Sequence, residues 1–376
     1  MSETAARRPG IVPVEGLAHV RGETQPPLSD LTIDGLLRAS VQRCAEREAV
    51  VFREQGVRLT WAQFDAQVQA LASGLAGLGL EAGDRVGIWS PNRLEWLVTQ
   101  FATARMGAIL VNINPSYRLH ELGYALKVSG CRAVVAAEKL KTSMYLEMLE
   151  KVRPDLPGLQ FLIRMGPART PGMLNYDDLV ADGARRAFDP PVLHCHEPIN
   201  IQFTSGTTGN AKGATLTHHN VVNNGRYIAL AMRFTEADSL CIPVPLYHCF
   251  GMVLAVLACV ATGAKMVFPG ESFDPEAALA TVSDERCTAL HGVPTMFIAE
   301  LAHPRFAEFD LTSLRTGIMA GSPCPIETMK QVVSRMHMDE VTIAYGMTET
   351  SPVSFQTLTT DPLDRRVTTV GRVQPH

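Results

Sequence analysis

Two different spacings of apolar side chains alternate along this chain. From residue 64 to residue 78 the apolar positions recur every three or four residues, with Thr60 as a candidate N-cap and Gly79 after the last turn. That spacing predicts an amphipathic helix. Strand and helix patterns then follow in turn, over 85–89, 95–106, 108–112, 120–128 and 133–137. This β-α-β order predicts an α/β fold with a parallel sheet covered on both faces by helices.

The same order returns in the second part of the chain. A helix is predicted to begin near Thr217. The strands and helices predicted after it alternate over 239–243, 252–261, 265–268, 275–285 and 289–292. The turn-rich segment 154–198 predicts an irregular seam between two packed α/β halves, 31–198 and 199–376. Residues 1–30, rich in Pro, Gly and charge, predict an extended N-terminal arm.

Composition limits the possible functions. The chain is 46% hydrophobic and 19% charged, as an ordinary globular protein is. Its net charge of −4 gives no support for a nucleic-acid binder or a polybasic membrane anchor. The uncharged run 241–264 is interrupted by Pro243 and Pro245, so it predicts a buried helix and not a transmembrane segment.

The eight cysteines are scattered without a C-x-x-C pair. They predict buried thiols in a reducing compartment, and no apolar signal-peptide segment follows Arg7 and Arg8, so we expect a cytoplasmic location. The segment 194–197 (His-Cys-His-Glu) resembles a metal-ligand cluster. Adjacent residues of an extended segment cannot all face one ion, and we expect a solvated loop there.

The segment Thr204–Gly213 is the first candidate for chemistry. An alternating pattern over 199–204 predicts the strand that leads into it. Its three glycines let backbone N–H groups approach an anion closely, four hydroxyls add neutral donors, and Lys212 supplies a compact positive charge. These properties together predict a phosphate-binding loop, whereas the alternative is a solvated Ser/Thr/Gly hairpin.

The generic Walker A loop does not fit this segment. Counted from Gly206, Ala211 stands where that motif has its second glycine, and Gly213 stands where it has the magnesium-binding hydroxyl. A P-loop NTPase is therefore not the preferred interpretation.

Four later segments carry further candidate residues: 245–252, 292–297, 316–323 and 345–352. Each has an ordinary structural interpretation as well. His248 suits a packed core, Pro294 suits a first helical turn, and Gly321 suits a strand-end turn. The last segment brings together an aromatic ring, a hydroxyl and the Glu349 carboxylate, which can stack on a purine, contact a phosphate and hold Mg²⁺.

The phosphate-binding segment resembles, nearly residue for residue, the loop of the adenylate-forming superfamily that includes the acyl-CoA synthetases. Residues 345–349 match that family's Y-G-x-T-E motif. One departure is Ala211, where the family usually has Pro. The resemblance extends from about Leu31 to the end of the chain, and within the superfamily the sequence looks most similar to medium- and long-chain fatty acyl-CoA synthetases.

The resemblance implies a role for each matched residue. Catalysis is implied for Lys212, His248, Thr348 and Glu349. Nucleotide binding is implied for Thr204, Ser205, Gly206, Thr207, Thr208, Gly209, Lys212, Gly321, Ser322, Pro323, Tyr345, Gly346, Met347 and Thr348. Binding of the acid is implied for His248, Phe250, Val293 and Met296, and Mg²⁺ binding for Glu349 and Thr204.

The implied reaction is ATP-dependent ligation of a fatty acid to coenzyme A. Its partners are small molecules (a carboxylic acid, ATP with Mg²⁺, and coenzyme A), with no nucleic acid and with a homodimer left open. In the family, further segments follow the part that matches residues 370–373. The resemblance therefore implies an N-terminal domain with remnants of a small β-barrel, without the C-terminal lid, and we expect weak turnover.

Three alternatives stay open at this stage. An amino-acid-activating domain would carry an acidic residue near the second motif, where this chain has His248 and Phe250. An aryl-acid ligase or a luciferase-like oxidase would share the same motifs. A non-catalytic nucleotide-binding module would bind the ligands without turnover.

Overall fold

Two large sheets, built mainly of parallel strands, form the centre of the molecule. The computed structural model describes residues 20–204 and 211–376. The strands, numbered along the chain, are β1 (Glu48–Phe52), β2 (Val57–Thr60), β3 (Arg85–Trp89), β4 (Ile109–Asn112), β5 (Ala133–Ala136), β6 (Lys139–Leu140), β7 (Ser143–Met144), β8 (Phe161–Arg164), β9 (Leu174–Asn175), β10 (Pro198–Thr204), β11 (Lys212–Thr217), β12 (Ser239–Cys241), β13 (Lys265–Phe268), β14 (Ala289–Gly292), β15 (Thr316–Ala320), β16 (Glu340–Gly346), β17 (Val353–Gln356) and β18 (Arg372–Val373).

Helices cover the sheets. They are α1 (Ile33–Cys44), α2 (Trp61–Gly77), α3 (Leu94–Met106), α4 (Leu119–Ser129), α5 (Tyr145–Val152), α6 (Tyr176–Gly183), α7 (His218–Ala231), α8 (Ala258–Thr262), α9 (Pro275–Glu285), α10 (Pro294–Leu301), α11 (Ile326–Met336) and α12 (Leu363–Thr368). Short 3₁₀ turns occur at Arg153–Asp155, Phe306–Glu308 and Thr348–Thr350, and a π-helix spans Phe250–Leu257. The predicted α/β class is confirmed.

The order of the strands shows how the chain is distributed between the sheets. Among the described residues, one sheet runs β18-β17-β16-β15-β14-β12-β13-β1-β2 and the other β11-β10-β4-β3-β5-β8-β9. The early strand β1 pairs in parallel with β13, and the later strand β10 pairs in parallel with β4. The sheets therefore do not divide at residue 198, since each takes strands from both parts of the chain.

Local sequence signals explain the best-defined helix. The Thr60 side chain accepts a hydrogen bond from the Gln63 backbone N–H, and the Gln63 side chain accepts one from the Thr60 N–H, which forms a capping box at the start of α2. Phe64, Val68 and Leu71 on one face of α2 are fully buried. The predicted helix and its cap are confirmed.

The predicted irregular seam is partly wrong. Within 154–198 the chain forms β8, β9 and α6 before it becomes irregular after Gly183. β8 continues the second sheet by pairing in parallel with β5. This four-residue strand has too little pattern of its own, and the edge of β5 supplies its hydrogen bonds.

The helical part of the uncharged segment is buried, as predicted, whereas His248 just before it is exposed. Every residue of the π-helix Phe250–Leu257 lies in the core. Within the described part of the chain, no helix has both the length and the apolar character needed to cross a membrane. All eight thiols are unpaired, and six of them are buried.

Candidate functional site

A cavity of about 500 Å³ opens where strands of both sheets end. Its walls come from the carboxyl ends of β4, β10, β15 and β16 and from the loop before the π-helix. Parallel strands of α/β proteins bind ligands at this edge, because loops there are free to vary above a rigid sheet. The residues that line it are Asn112, Asn114, Gln202, Phe203, Thr204, Tyr247, His248, Cys249, Phe250, Leu254, Ala320, Gly321, Ala344, Tyr345, Gly346, Met347, Thr348, Glu349, Pro352 and Val353.

The two ends of the predicted phosphate loop pair with each other, and of the two only Thr204 lines this cavity. Thr204 at the end of β10 pairs with Lys212 at the start of the antiparallel strand β11, and Thr204 Oγ1 lies 3.4 Å from the Lys212 carbonyl oxygen. Ser205, Gly206, Thr207, Thr208 and Gly209 lie outside the described residues. A Walker A loop leads from a strand into a helix, whereas this one leads into β11, a strand that the sequence analysis missed.

The Tyr345–Glu349 segment forms another part of the wall. Tyr345, Gly346, Met347 and Glu349 are exposed, and the 3₁₀ turn that contains Glu349 lies against β11. A Cβ atom on Gly346 would come 1.8 Å from the Pro352 carbonyl oxygen, so only glycine permits this close approach of the two backbones. Thr204, at one end of the phosphate loop, and this segment thus line one cavity.

Hydrogen bonds from the neighbouring sheet hold the loop that carries His248. The Asn92 side chain donates to the Val244 carbonyl oxygen at 3.0 Å and accepts from the Leu246 N–H at 2.8 Å. Both contacts are buried. Asn92, in the loop between β3 and α3, therefore fixes the segment two residues before His248.

The ring of His248 is fixed in one neutral form. The Phe250 backbone N–H donates to His248 Nδ1 at 3.1 Å. Because Nδ1 accepts, the proton of the neutral ring lies on Nε2, which can donate to an oxygen atom in the cavity. The surrounding walls reduce hydration and lower the pKa of His248 below its ordinary value.

Cys249 is adjacent to this ring but is not a reactive thiolate. Its Sγ lies 3.6 Å from His248 Nδ1 and 3.9 Å from the Thr348 hydroxyl. Burial raises the pKa of the Cys249 thiol to about 12, so the group stays protonated at neutral pH. A Cys–His nucleophile is therefore not available here, although Cys249 does join the His248 and Thr348 segments.

A second cavity of about 580 Å³ adjoins the first and shares Gly321, Ala344, Tyr345 and Gly346 with it. Its walls also include Ser322 and Pro323. Gly321 has φ = +92°, which favours glycine, and it leaves a stretch of bare backbone facing the Tyr345 side of the cleft.

Two predicted residues stand behind the walls. Neither Val293 nor Met296 is among the described residues that line the two cavities. A Cβ on Gly321 would lie 3.0 Å from Val293 Cγ1, so Val293 supports the strand-end turn from behind. Met296 packs against the hydrophobic core. Their role in binding the acid stays a prediction.

A row of buried amides lies in and behind the inner wall, and it was not predicted from the sequence. Asn112, Asn200 and Gln202 are at most 3% exposed and are joined by hydrogen bonds. The available signal was the alternation of residues 200, 202 and 204, which places three polar side chains on one face of the predicted strand.

The described residues contain no group of three or more His, Cys, Asp or Glu side chains arranged to hold a metal ion. Glu349 and Thr204, the two residues predicted to bind Mg²⁺, both line the first cavity. A carboxylate and a hydroxyl are oxygen donors of the kind that Mg²⁺ takes when phosphates complete its coordination.

Comparison with known proteins gives one family and a consistent set of relatives. The family described as "AMP-binding enzyme" matches residues 37–376. "Putative acyl-CoA synthetase YngI" of Bacillus subtilis is 47% identical over 364 residues, covering 92% of this chain and 66% of its own. "Medium-chain acyl-CoA ligase ACSF2, mitochondrial" of Danio rerio is 41% identical, covering 98% and 64%. The chain thus spans just under two thirds of the length of these curated relatives.

Solved structures show the same fold. The anthranilate CoA ligase AuaEII in complex with anthranoyl-AMP has a TM-score of 0.84 at 22% identity, covering 93% of this chain and 66% of its own. The inhibitor-bound N-terminal domain of FACL13 from Mycobacterium tuberculosis has a TM-score of 0.79 at 26% identity, covering 91% and 82%.

Proposed function

Because the chain belongs to the AMP-binding enzyme family, we propose that it forms the nucleotide and acyl site of an AMP-forming fatty acid–CoA ligase. The acid is a medium- or long-chain fatty acid. The observation that supports this most directly is the shared cleft, in which Thr204 at the phosphate-loop end, His248 and Glu349 line one cavity. A nucleotide and a carboxylate need such a site in order to meet.

Each group of the site has a proposed ligand. The adenine lies against the Gly321–Pro323 backbone and beside the Tyr345 ring, in the second cavity. The triphosphate lies towards Thr204 and Lys212. The carboxylate lies near His248, whose Nε2–H donates to one of its oxygens.

The reaction then proceeds in two displacements. A carboxylate oxygen attacks the α-phosphorus of ATP, the bond to the β-phosphate oxygen breaks, and pyrophosphate leaves with its electron pair. The coenzyme A thiol then loses its proton, its sulfur attacks the acyl carbon, and AMP leaves. The residues of this chain contribute position and charge complementarity, with Lys212 balancing phosphate charge. No bond to the enzyme is required.

Mg²⁺ fits the oxygen donors of this site. Glu349 would hold the ion with Thr204 beside it, and the ion would supply charge neutralisation of the polyphosphate. Glu349 is exposed in the cleft, so its carboxylate is free to meet a hydrated ion. Coenzyme A enters as a co-substrate.

Calorimetry on the 376-residue chain tests the proposal, with octanoyl sulfamoyl adenosine as a stable mimic of the acyl-adenylate. Binding of this mimic, with much weaker binding of a phenylalanyl or benzoyl counterpart, is the expected result. Preference for the benzoyl compound would favour an aryl-acid ligase. The absence of binding to all three would contradict the proposed site.

Substitution at Glu349 separates catalysis from binding. We expect Glu349→Gln to lower Mg²⁺-dependent pyrophosphate release at least tenfold, with little effect on binding of the acyl-adenylate mimic, because the mimic carries no pyrophosphate. Glu150→Gln, at an exposed position of α5, is the matched control. If the unsubstituted chain binds the mimic and releases no pyrophosphate, the chain by itself is a non-catalytic binding module.

The unpaired cysteines support a proposal on location. All eight thiols are free, which suits a reducing compartment, and we assign the protein to the cytoplasm. Cell fractionation tests this assignment, and recovery in an oxidising compartment would contradict it.

A further inference from the structure

The inner wall of the first cavity presents one oriented polar atom. Gln202 lies on β10 two residues before Thr204, so both side chains point to the same face of the strand. Gln202 is therefore about 7 Å deeper than Thr204 along the strand. It is 3% exposed and lines the cavity together with Phe250 and Leu254.

The hydrogen-bonded amides behind Gln202 determine which end of its side chain faces inward. Asn112 Nδ2 donates to the Tyr247 carbonyl oxygen at 2.9 Å, and Asn200 Nδ2 donates to the Leu110 carbonyl oxygen at 3.0 Å. Backbone carbonyls only accept, so these two NH₂ groups cannot be exchanged with their oxygens. These hydrogen bonds therefore fix the orientation of both asparagine amides.

The orientation of the two asparagine amides in turn determines that of Gln202. Asn200 Nδ2 also donates to Asn112 Oδ1 at 2.9 Å, which leaves Asn200 Oδ1 as the acceptor for Gln202 Nε2, again at 2.9 Å. The NH₂ group of Gln202 is thus engaged with the wall. Among the described residues, none donates a hydrogen bond to Gln202 Oε1, so the side chain offers an acceptor to the cavity.

We propose that Gln202 is a specificity-determining residue that limits acyl chain length and favours a chain whose far end carries a hydroxyl group. This inference rests on the proposed function, which places the acyl chain in this cavity. An alkyl chain that reaches Oε1 removes it from water without a hydrogen bond, which is unfavourable. A hydroxyl at the same depth donates to Oε1.

The limit on chain length and the preference for a hydroxyl group both arise from Gln202 Oε1, so they can be measured together. The probes are n-alkanoyl sulfamoyl adenosines of increasing chain length and their ω-hydroxy counterparts, titrated calorimetrically into the unsubstituted chain. For the alkanoyl series we expect affinity to rise about fourfold per methylene and then to stop rising or fall at one length. At that length the ω-hydroxy compound binds about tenfold tighter than the alkanoyl compound.

Replacement of the amide tests the residue itself. Gln202→Met keeps a similar length without an oxygen, so we expect it to extend the rise in affinity to longer chains and to abolish the preference for the hydroxyl. Leu254→Met alters the wall without altering its polarity and is expected to keep the hydroxyl preference. Thermal melting of both variants shows whether they are folded. If Gln202→Met is unfolded, the measurements on the unsubstituted chain still test the proposal.

Each outcome separates this inference from the proposed function. Binding of no acyl-adenylate mimic at any length contradicts the proposed function. Binding that strengthens steadily with length, without a preference for the hydroxyl, overturns only the role of Gln202. Persistence of the hydroxyl preference in folded Gln202→Met overturns the assignment to this residue.

Discussion

At the scale of single residues, the site depends on how neighbours fix the protonation and orientation of a few side chains. His248 has the residue type that the motif indicates, but the Phe250 N–H decides which ring nitrogen carries the proton. At Cys249 the neighbouring structure prevents the reactivity that its residue type and position would indicate. Burial keeps its thiol protonated, although its place beside a histidine resembles a nucleophilic pair.

The first prediction concerns His248. In the proposed complex, His248→Ala removes one neutral hydrogen bond to the acyl carbonyl, which is worth about 0.5–1.5 kcal/mol. We therefore expect octanoyl sulfamoyl adenosine to bind about two- to tenfold more weakly in calorimetry. His120→Ala, at an exposed position of α4, is the control and should leave affinity unchanged. Equal affinity in all three proteins would remove His248 from the site.

At the scale of elements, turns carry the site and close backbone contacts hold the turns. The segment after β16 returns on itself so that Gly346 contacts Pro352. The loop before the π-helix is similarly tight, since a Cβ on Gly251 would come 2.3 Å from the Pro245 carbonyl oxygen. In both places the motif glycine serves the packing of backbone against backbone.

The second prediction concerns the turn in which Gly346 contacts Pro352. Gly346→Ala places a methyl group against the Pro352 carbonyl oxygen, so the turn must move and the Tyr345 and Glu349 side chains must move with it. We expect a loss of about 2 kcal/mol or more in the free energy of unfolding, measured in urea, together with weaker binding of the adenylate mimic. Gly158→Ala is the control, because a Cβ there meets no atom within 4 Å. Equal stability of the two variants would contradict the prediction.

At the scale of the whole molecule, buried polar links connect elements that are distant in the sequence. His291 on β14 accepts from the Ile318 N–H at 3.2 Å through Nδ1 and lies 3.3 Å from the Leu254 carbonyl oxygen through Nε2. It thereby joins β15 to the π-helix. Burial lowers the pKa of His291 to about 4, and that of His218 likewise to about 4.

The third prediction is a pH dependence of stability. Both pKa values lie below the unfolded value of about 6.5, so between pH 6.5 and 4 the unfolded chain binds more protons than the folded one. Stability should therefore fall as pH falls through this range, by about 1.4 kcal/mol per pH unit for each histidine. Urea unfolding of His291→Phe should show a slope reduced by one histidine's contribution, whereas His120→Phe should keep the full slope. An unchanged slope in His291→Phe would exclude this cause.

The sequence predicted many of the strands and helices between residues 60 and 292, but the amphipathic helices α1, α5 and α11 were not predicted. Strands that depend on a partner were missed as well. β11 has only a weak apolar pattern, and it becomes a strand because β10 supplies the other half of its hydrogen bonds. β8 likewise depends on β5. The π-helical winding of the buried segment Phe250–Leu257 is equally invisible in its uniformly apolar sequence.

The candidate site could be predicted where a motif carries its own chemistry. Lys212 and Glu349 were predicted from their residue types and order, and His248 from the resemblance of its segment to a family motif. Of the three, His248 and Glu349 line the first cavity. Gln202 was not predicted, because a glutamine in a strand gives no sign of a binding role in the sequence. Its role depends on the amides behind it, which fix its orientation.

Helical period, caps and turns depend on neighbouring residues, so the strongly patterned elements could be predicted from the sequence alone. A motif likewise keeps its hydrogen-bond donors and charges wherever the fold places it. Tertiary packing brings β1 into the later sheet and β10 into the earlier one, and it places Thr204 and Glu349 at one cavity. Strand partners and cavity walls come from residues far apart in the chain. Their choice follows from which buried surfaces and hydrogen bonds fit together, and that fit is a property of the packed molecule.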